Sequence, residues 1–222
     1  MQPDPGQTLI LAQQAGFKTV CGLNADYMAD YYRLRANVFR SELRWIGDPD
    51  DEMDIESYDS NAVHFFTLSP ANKLIAALRI LPTEQKWMME ECFNSLIPRD
   101  VDLHTMDACE ISRLAIAKSW RNYYINNEFT VAEFLYKGVF QYCLAREIRL
   151  CNMVTTRALV CHLRKKGMPV KILAKNRMTD GLLAIMAQLD WYAFINKNSR
   201  RFPHRLAWYL DVYDTAQQRL AS

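Results

Sequence analysis

The sequence has only seven glycines among 222 residues, and none of them forms a recognisable phosphate-binding loop. The patterns G-x-G-x-x-G, G-x-x-x-x-G-K-[ST], G-x-S-x-G and H-E-x-x-H are all missing. No glycine-rich turn precedes the amphipathic pattern that begins near residue 130, where a nucleotide pyrophosphate would need one. These absences disfavour the common chemistries in which a glycine-rich backbone cradles a nucleotide.

Cysteine pairs and long apolar runs are missing as well. The six cysteines form no C-x-x-C pair and the four histidines show no ligand spacing, so we expect no metal site. The N-terminus lacks the basic start and apolar run of a secretory signal, and no stretch of about 20 apolar residues predicts a membrane span. We therefore expect a cytoplasmic protein with reduced thiols.

Charge is nearly balanced over the whole chain but uneven within it. The net charge of +2 argues against a general nucleic-acid or membrane binder. Residues 48–59 are acidic, whereas residues 163–177 and 197–201 are basic. Such runs are usually solvated faces, and the alternative is a basic patch that binds an acidic partner.

Half of the residues are hydrophobic, which is enough for one sizeable core, so we predict a single domain over residues 1–222. The hydrophobic periodicity predicts an α/β fold, with a mixed sheet and helices on both faces. We expect a loose leader over residues 1–20 and an extra helical tail over about 196–222. Predicted helices cover 24–43, 87–97, 130–148, 157–167 and 206–221, and predicted strands cover 62–69, 73–82, 107–118, 150–156 and 169–174.

The predicted strand around "CEISRLAI" (109–116) carries charge where a plain apolar strand would not. Because side chains alternate between two faces, Glu110 and Ser112 share one face and Arg113 takes the other. A regular strand cannot aim both charges at one place, whereas a bulge re-aims one side chain. Charged side chains are seldom buried without partners, so these two are candidates for a site.

Other charged and aromatic residues stand out along the first half of the chain. Arg35 and Phe39 lie one helical turn apart, and Trp45 follows shortly after. Arg79 interrupts an apolar strand, where it would face solvent or pair with a carboxylate. The loop between them is rich in acidic residues, which are Glu52, Asp54, Glu56 and Asp59.

These pieces, in this order, resemble the acyl-homoserine-lactone synthase family of the LuxI type. The stretches that carry the resemblance are "YRLRANVFRSELRW", "ESYDSNAVHF", "LRILPT", "CF" and "EISRLAI". It covers about residues 30–116 and continues more faintly to residue 168. The positions that match the family pattern are Arg35, Phe39, Trp45, Asp59, Arg79, Phe93, Glu110 and Arg113.

The resemblance implies a GNAT-like α/β fold with a mixed, mostly antiparallel sheet, and an acyltransferase used in quorum sensing. Such enzymes acylate the amine of S-adenosylmethionine, which is a substrate and not a cofactor, from an acyl carrier protein or coenzyme A thioester. The product lactonises and releases methylthioadenosine. No cofactor, metal, nucleic acid or membrane is implied.

The resemblance also assigns roles to individual residues. Glu110 is the candidate general base for the attacking amine. Aromatic faces suit a sulfonium cation and arginine suits its carboxylate, which gives Arg35, Phe39, Trp45 and Arg113 as substrate-binding candidates. The supporting charge network is Asp54, Glu56, Asp59 and Arg79. The acyl-pocket candidates are Phe93, Met153, Thr155 and Leu159.

The sequence departs from the family pattern in three places. The acidic loop is two residues longer, so the second family acidic position is Asp54 or Glu56. The segment after "LPT" reads "EQKWMMEECF" instead of the family's Pro-Tyr-Met-Leu. Met153 stands where many members that use 3-oxo chains have threonine, which suggests an unsubstituted acyl chain.

Two other functions stay open at this stage. The first is a related N-acyltransferase that makes an N-acyl amino acid or acts in an exosortase-associated system. The second is a non-enzymatic binding module that uses the basic C-terminal half. In the synthase, the basic residues Arg157, Arg164, Lys165 and Lys166 would attract an acidic carrier protein, with a solvated face as the alternative.

Overall fold

The computed structural model describes residues 8–22, 25–48, 50–177 and 183–212. Eight strands hydrogen-bond in the order β1-β2-β3-β4-β5-β8-β10-β9, and β6 and β7 form a separate pair. The strands are Leu9–Gln14 (β1), Phe17–Cys21 (β2), Val63–Leu68 (β3), Leu74–Pro82 (β4), Ala108–Ile116 (β5), Tyr124–Ile125 (β6), Phe129–Thr130 (β7), Leu150–Thr155 (β8), Val170–Arg177 (β9) and Leu183–Asp190 (β10).

The helices alternate with these strands, as an α/β fold requires. They are Ala25–Arg35 (α1), Met88–Cys92 (α2), Val131–Ala145 (α3), Arg157–Lys165 (α4), Trp191–Arg201 (α5) and Pro203–Leu210 (α6). A π-helical segment, Ala36–Glu42, continues α1, and short 3₁₀ turns occur at Ser57–Asn61, Asn94–Leu96 and Lys118–Trp120. No helix among these described segments is long and apolar enough to cross a bilayer.

The chain divides into two compact units. The first comprises residues 1–79, 113–142 and 211–222, and the second comprises residues 80–112 and 143–210. The single domain expected from the sequence stays a prediction, and the units are described separately below.

The prediction of a loose leader over residues 1–20 is wrong for the part that the structure describes. In the first unit, β1 and β2 form an antiparallel hairpin in which Gln14 pairs with Phe17. Ala15 and Gly16 both have positive φ, 49° and 80°, as the mirror-image turns of tight hairpins require. The Ala15–Gly16 pair between two stretches that contain β-branched residues, Ile10 in the first and Thr19 and Val20 in the second, was the signal that could have found it. Residues 1–7 lie outside the described part.

The core of the first unit forms around α1 and the π-helical segment. Tyr31 and Val38 are buried with Phe66 of β3 and Ala115 of β5. On another strand, Thr19 of β2 donates its hydroxyl to the carbonyl of Phe134 in α3 at 3.2 Å. These contacts hold the helices against the strands that carry the charged residues discussed below.

The second unit contains β5 and β8 in parallel pairing, with Cys109 opposite Cys151 and Glu110 opposite Asn152. β10 pairs antiparallel with both β8 and β9. Strand β10 was not predicted because its pattern, "LAIMAQLD", is a nearly continuous apolar run without alternation, which is typical of a strand buried on both faces.

Side chains fix the starts of two helices in the second unit. Thr156 accepts a hydrogen bond from the amide of Leu159 at the start of α4, and Asp190 accepts from Tyr192 and Ala193 at the start of α5. The helical tail expected over about 196–222 stays a prediction, since α5 ends at Arg201, α6 covers Pro203–Leu210, and residues 211–212 are not helical. Residues 213–222 of the tail lie outside the described part.

Candidate functional site

A buried network of arginines and carboxylates occupies the first unit, with Arg35 at its centre. The last residue of α1, Arg35 has no exposed surface. Its Nε donates to Asp54 at 2.8 Å, Nη1 to Asp59 at 2.7 Å and Nη2 to Glu56 at 3.0 Å. Each of its three nitrogen atoms therefore has a carboxylate partner, so the helix end and the acidic loop are held together.

Two further arginines join the same carboxylates. Arg79 of β4, also fully buried, contacts Asp59 at 2.6 Å and Glu56 at 2.7 Å. Arg113 of β5 contacts Asp54 at 3.2 Å through Nε and also pairs with Glu56. Three guanidinium groups thus face three carboxylates, which balances the formal charge inside a poorly hydrated region.

The network changes the ionisation of its members. Burial alone would raise the pKa of Asp59, but Arg35 and Arg79 outweigh it and hold the pKa below its usual value. Burial opposes ionisation of Arg35 as well, and the neighbouring Tyr31, Asp59 and Asp54 raise its pKa above the ordinary value. The charged forms of both partners are therefore favoured at neutral pH.

An aromatic pair adjoins the network. The rings of Phe39 and Trp45 lie 6.1 Å apart, and the amide of Trp45 donates to the carbonyl of Phe39 at 2.9 Å. Phe39 belongs to the π-helical segment, whose wider turns change which side chains share a face with Arg35. The guanidinium carbon of Arg113 lies 5.3 Å from the Phe39 ring centroid. Arg113 therefore pairs with the carboxylates and also makes a cation–π contact with Phe39 of the aromatic pair.

The backbone of β5 is irregular at Arg113. This residue has φ of 55°, in the left-handed region that residues other than glycine seldom adopt. A left-handed residue within a strand interrupts the alternation of side chains and is typical of functional sites. The sequence predicted that this strand departs from regular geometry, and the positive φ of Arg113 is such a departure.

Glu110 lies three residues earlier on β5, in the second unit. Its side chain is fully buried, and its Oε2 accepts a hydrogen bond from the amide of Met89 at 3.2 Å. Met89 belongs to α2, which lies within the segment "EQKWMMEECF" that departs from the family pattern. A buried carboxylate held by a backbone amide is suited to proton transfer because its position is fixed.

The acyl-pocket candidates all fall in the second unit, on three elements. Phe93 follows the end of α2 and is half-buried. Met153 on β8 is buried, and Thr155 at the end of the same strand is half-buried. Leu159 lies in the first turn of α4 and is also half-buried. Their role as an acyl pocket stays a prediction.

Arg35 is one of the predicted substrate-binding residues. It has no exposed surface, and its nitrogen atoms are all bonded to carboxylates. Its role stays a prediction, as does that of Arg113, whose side chain is 10% exposed. Asp54 and Glu56 both bind Arg35 and Arg113, so the longer loop places two acidic residues where one was expected.

Sequence analysis missed Arg40, which extends the network toward solvent. Its Nη1 binds Asp51 at 2.7 Å and its Nη2 lies 3.8 Å from Asp54. Gly47 has φ of 54°, and a side chain there would overlap the guanidinium of Arg40. The glycine in "WIGDPD" was the signal that could have indicated a close approach at this place.

Comparison with known proteins agrees with the earlier resemblance. The sequence profile of a family described as autoinducer synthase matches residues 22–196. A protein of Yersinia ruckeri named acyl-homoserine-lactone synthase is 24% identical over 138 residues, which is 62% of this chain and 63% of that protein. The match therefore spans less than two thirds of that relative's length.

Solved structures share the fold. The structure of LasI, described as an AHL synthase, superposes with a TM-score of 0.67 at 19% identity and covers 79% of this chain and 90% of that one. The structure of BjaI, described as a CoA-dependent acyl-homoserine lactone synthase with SAM and isopentyl-CoA, superposes with a TM-score of 0.63 at 21% identity. The match covers 84% of this chain and 81% of that one. The predicted GNAT-like α/β fold with a mostly antiparallel sheet is thereby confirmed.

Proposed function

The chain belongs to the autoinducer synthase family, and from this we propose that it is an acyl-homoserine-lactone synthase that makes a quorum-sensing signal. Its substrates in this proposal are S-adenosylmethionine and an acyl thioester, and it works in the cytoplasm, where its six cysteines, none of them in a disulfide, stay reduced. S-adenosylmethionine is consumed as a substrate, and no cofactor takes part.

The observation that carries the proposal is the position of Arg113 between the buried carboxylates and the aromatic pair. A sulfonium cation is attracted to the faces of Phe39 and Trp45, and Trp45 is only half-buried. The amino-acid carboxylate of the same substrate is attracted to Arg113, whose side chain is 10% exposed. The network formed by Arg35 and Arg79 with their carboxylates fixes the orientation of Arg113 and of Phe39, which Arg113 contacts.

The proposed chemistry has two steps that balance in atoms and charge. First the substrate amine attacks the thioester carbonyl, loses a proton, and forms an amide while the thiol leaves with a proton. Then the substrate carboxylate attacks the carbon of its own amino-acid side chain that is bonded to the sulfonium sulfur. This attack forms the lactone ring. The carbon–sulfur bond breaks, and neutral methylthioadenosine leaves.

Glu110 is the proposed general base for the first step. Its burial and its bond from the Met89 amide support this role, because a fixed carboxylate accepts the amine proton without reorganisation. Glu110 and Arg113 lie three residues apart on β5, so one strand carries both the base and a substrate-binding group. Phe93, Met153, Thr155 and Leu159 are the proposed acyl-pocket residues, and Met153 supports an unsubstituted chain.

An acyl carrier protein is the proposed donor. Carrier proteins are acidic, and α4 presents the exposed basic side chains of Arg157, Arg164 and Lys165. Arg164 also donates twice to the carbonyl of Val170, at 3.0 and 2.8 Å, which fixes its position. Charge complementarity of this kind raises the rate of association between partners.

The test uses the purified chain with S-adenosylmethionine and a panel of acyl carrier protein and acyl-coenzyme A thioesters of different chain lengths. Mass spectrometry identifies the acylated product, and chromatography follows methylthioadenosine. We expect a lactone and methylthioadenosine in equal amounts, formed faster from carrier-bound chains. Equal or faster reaction with coenzyme A thioesters would contradict the choice of donor.

Glu110→Gln is the informative variant, because it keeps the shape of the side chain and removes its basicity. We expect a loss of at least 100-fold in the rate at neutral pH, since general bases contribute about that much or more. Glu91→Gln, an exposed glutamate on α2, is the matched control and should keep full activity. An N-acyl amino acid without methylthioadenosine would favour the related N-acyltransferase over the synthase.

A further inference from the structure

Three cysteines from three different elements meet inside the second unit. Cys109 comes from β5, Cys143 from α3 and Cys151 from β8. Their sulfur atoms all lie within 4.8 Å of one another, and all three residues have no exposed surface. The function proposed above uses none of them.

Strand pairing fixes two of these sulfurs. Cys109 and Cys151 are register partners in the parallel pair β5–β8, with their sulfur atoms 3.6 Å apart. That separation is much longer than the bond of about 2 Å in a disulfide, so the residues are thiols. The last turns of α3 bring the third sulfur against this pair.

We propose that Cys109, Cys143 and Cys151 form a binding site for a single thiophilic d¹⁰ metal ion, with Cu(I) as the ion that it fits best. The distances support this. Metal–thiolate bonds of about 2.3 Å place the ligand sulfurs of one ion roughly 4 Å apart. The separations here, 3.6 Å for one pair and no more than 4.8 Å for any, therefore need only small adjustments.

The donor set selects the kind of ion. Sulfur ligands favour soft cations over magnesium, calcium and manganese. Within the described ranges, no histidine, aspartate, glutamate or further cysteine joins the three sulfurs as a fourth ligand. Structural zinc sites usually take four protein ligands, whereas Cu(I) is stable with three sulfurs, so the triad fits Cu(I) better.

The surroundings support a charged sulfur centre. The indole of Trp191 and the guanidinium of Arg146 lie close to the Cys143 sulfur. Each thiol gives up its proton as it binds the ion. The positive charge of Arg146 then offsets part of the thiolate charge.

The site is tested by anaerobic titration of the reduced, full-length protein with Cu(I) against bicinchoninate, whose coloured complex reports copper that the protein does not hold. Copper is added both to the folded protein and during refolding from urea, because a fully buried site fills only when the fold opens. We expect one equivalent to be withdrawn from the chelator, with a higher melting temperature for the loaded protein.

Variants locate the site. Cys109→Ser, Cys143→Ser and Cys151→Ser should each lower copper affinity at least tenfold and remove the rise in melting temperature. The double variant Cys92→Ser/Cys161→Ser, which changes the two exposed thiols, is the matched control and should bind like the wild type. Melting curves of the metal-free variants establish that each is folded.

X-ray absorption at the copper edge of the loaded wild type does not depend on any variant. Three sulfur neighbours per copper support the site. Nitrogen or oxygen neighbours, loss of binding in the exposed-thiol control, retained binding in the triad variants, or a wild type that withdraws no copper would each overturn it. Lactone synthesis is not part of this test, so the two proposals stand or fall separately.

Discussion

The guanidinium carbon of Arg113 lies 5.3 Å from the centre of the Phe39 ring, while its nitrogens bind Asp54 and Glu56. One side chain therefore joins a buried charge network to an aromatic surface. The left-handed backbone at Arg113 accompanies this arrangement, since a regular strand would continue the alternation of its side chains. The predictions below separate the roles of the network, its aromatic edge and the surrounding core.

Arg113→Lys should impair use of S-adenosylmethionine more than it impairs folding. Lysine keeps the positive charge but loses the planar fork that binds two carboxylates at once. A lost charged hydrogen bond costs about 1.5–3 kcal/mol, which corresponds to roughly a 10- to 100-fold fall in kcat/KM. Steady-state kinetics with varied S-adenosylmethionine measures this, with thermal melting to establish the fold.

Arg33→Lys is the matched control for that variant. Arg33 also pairs with an aspartate, Asp30 at 3.1 Å, but both side chains are more than half exposed. Exposed pairs of this kind contribute little, so kinetics and melting should both be unchanged. Equal losses in the two variants would show that arginine content, and not the position of Arg113, determines activity.

Arg79→Met should destabilise the protein by about 3 kcal/mol, because it leaves Asp59 and Glu56 buried with fewer positive partners. Urea unfolding at neutral pH measures the change in the free energy of unfolding. Lys86→Ala, which removes one side of the exposed pair with Glu91, is the control and should change it by less than about 1 kcal/mol. A mild effect of Arg79→Met would mean that Arg35 alone sustains the network.

His64 should make stability depend on pH in the mildly acidic range. Burial lowers the pKa of His64 below the ordinary value of 6.5. Below pH 6.5 the unfolded chain therefore binds a proton at this residue that the folded protein does not bind. The free energy of unfolding should therefore fall as pH drops from about 6.5 toward the lowered pKa. Urea unfolding between pH 5 and about 7.5 measures this dependence, and the free energy of unfolding should fall less steeply with decreasing pH for His64→Gln than for the wild type. An equally steep fall in the variant would contradict this role of His64.

Gly138→Ala should destabilise the protein although alanine is the better helix former by about 1 kcal/mol. A methyl group at this position of α3 would overlap the γ-methyl of Thr19 on β2. Thr19→Ser removes that methyl group, so the double variant Gly138→Ala/Thr19→Ser should recover part of the loss. Thermal melting of the four proteins in this cycle measures the coupling, and purely additive effects would contradict the proposed overlap.

The sequence by itself determined the parts that depend on local pattern. Alternation and helical periodicity predicted β3, β4, β5, α3, α4 and β9 within a few residues. The order of charged and aromatic residues, from Arg35 to Arg113, was specific enough to indicate the family. Motifs of this kind are visible in sequence because each residue type is required by chemistry at a fixed place in the chain.

Only the tertiary structure decided which residues are partners. It paired all nitrogens of Arg35, a predicted substrate-binding residue, with carboxylates. It also brought together Cys109, Cys143 and Cys151, whose spacing of 34 and 8 residues carries no ligand signature. The physical reason is that burial and pairing depend on contacts between distant segments, and those contacts arise from the packing of strands and helices that local patterns specify only one at a time.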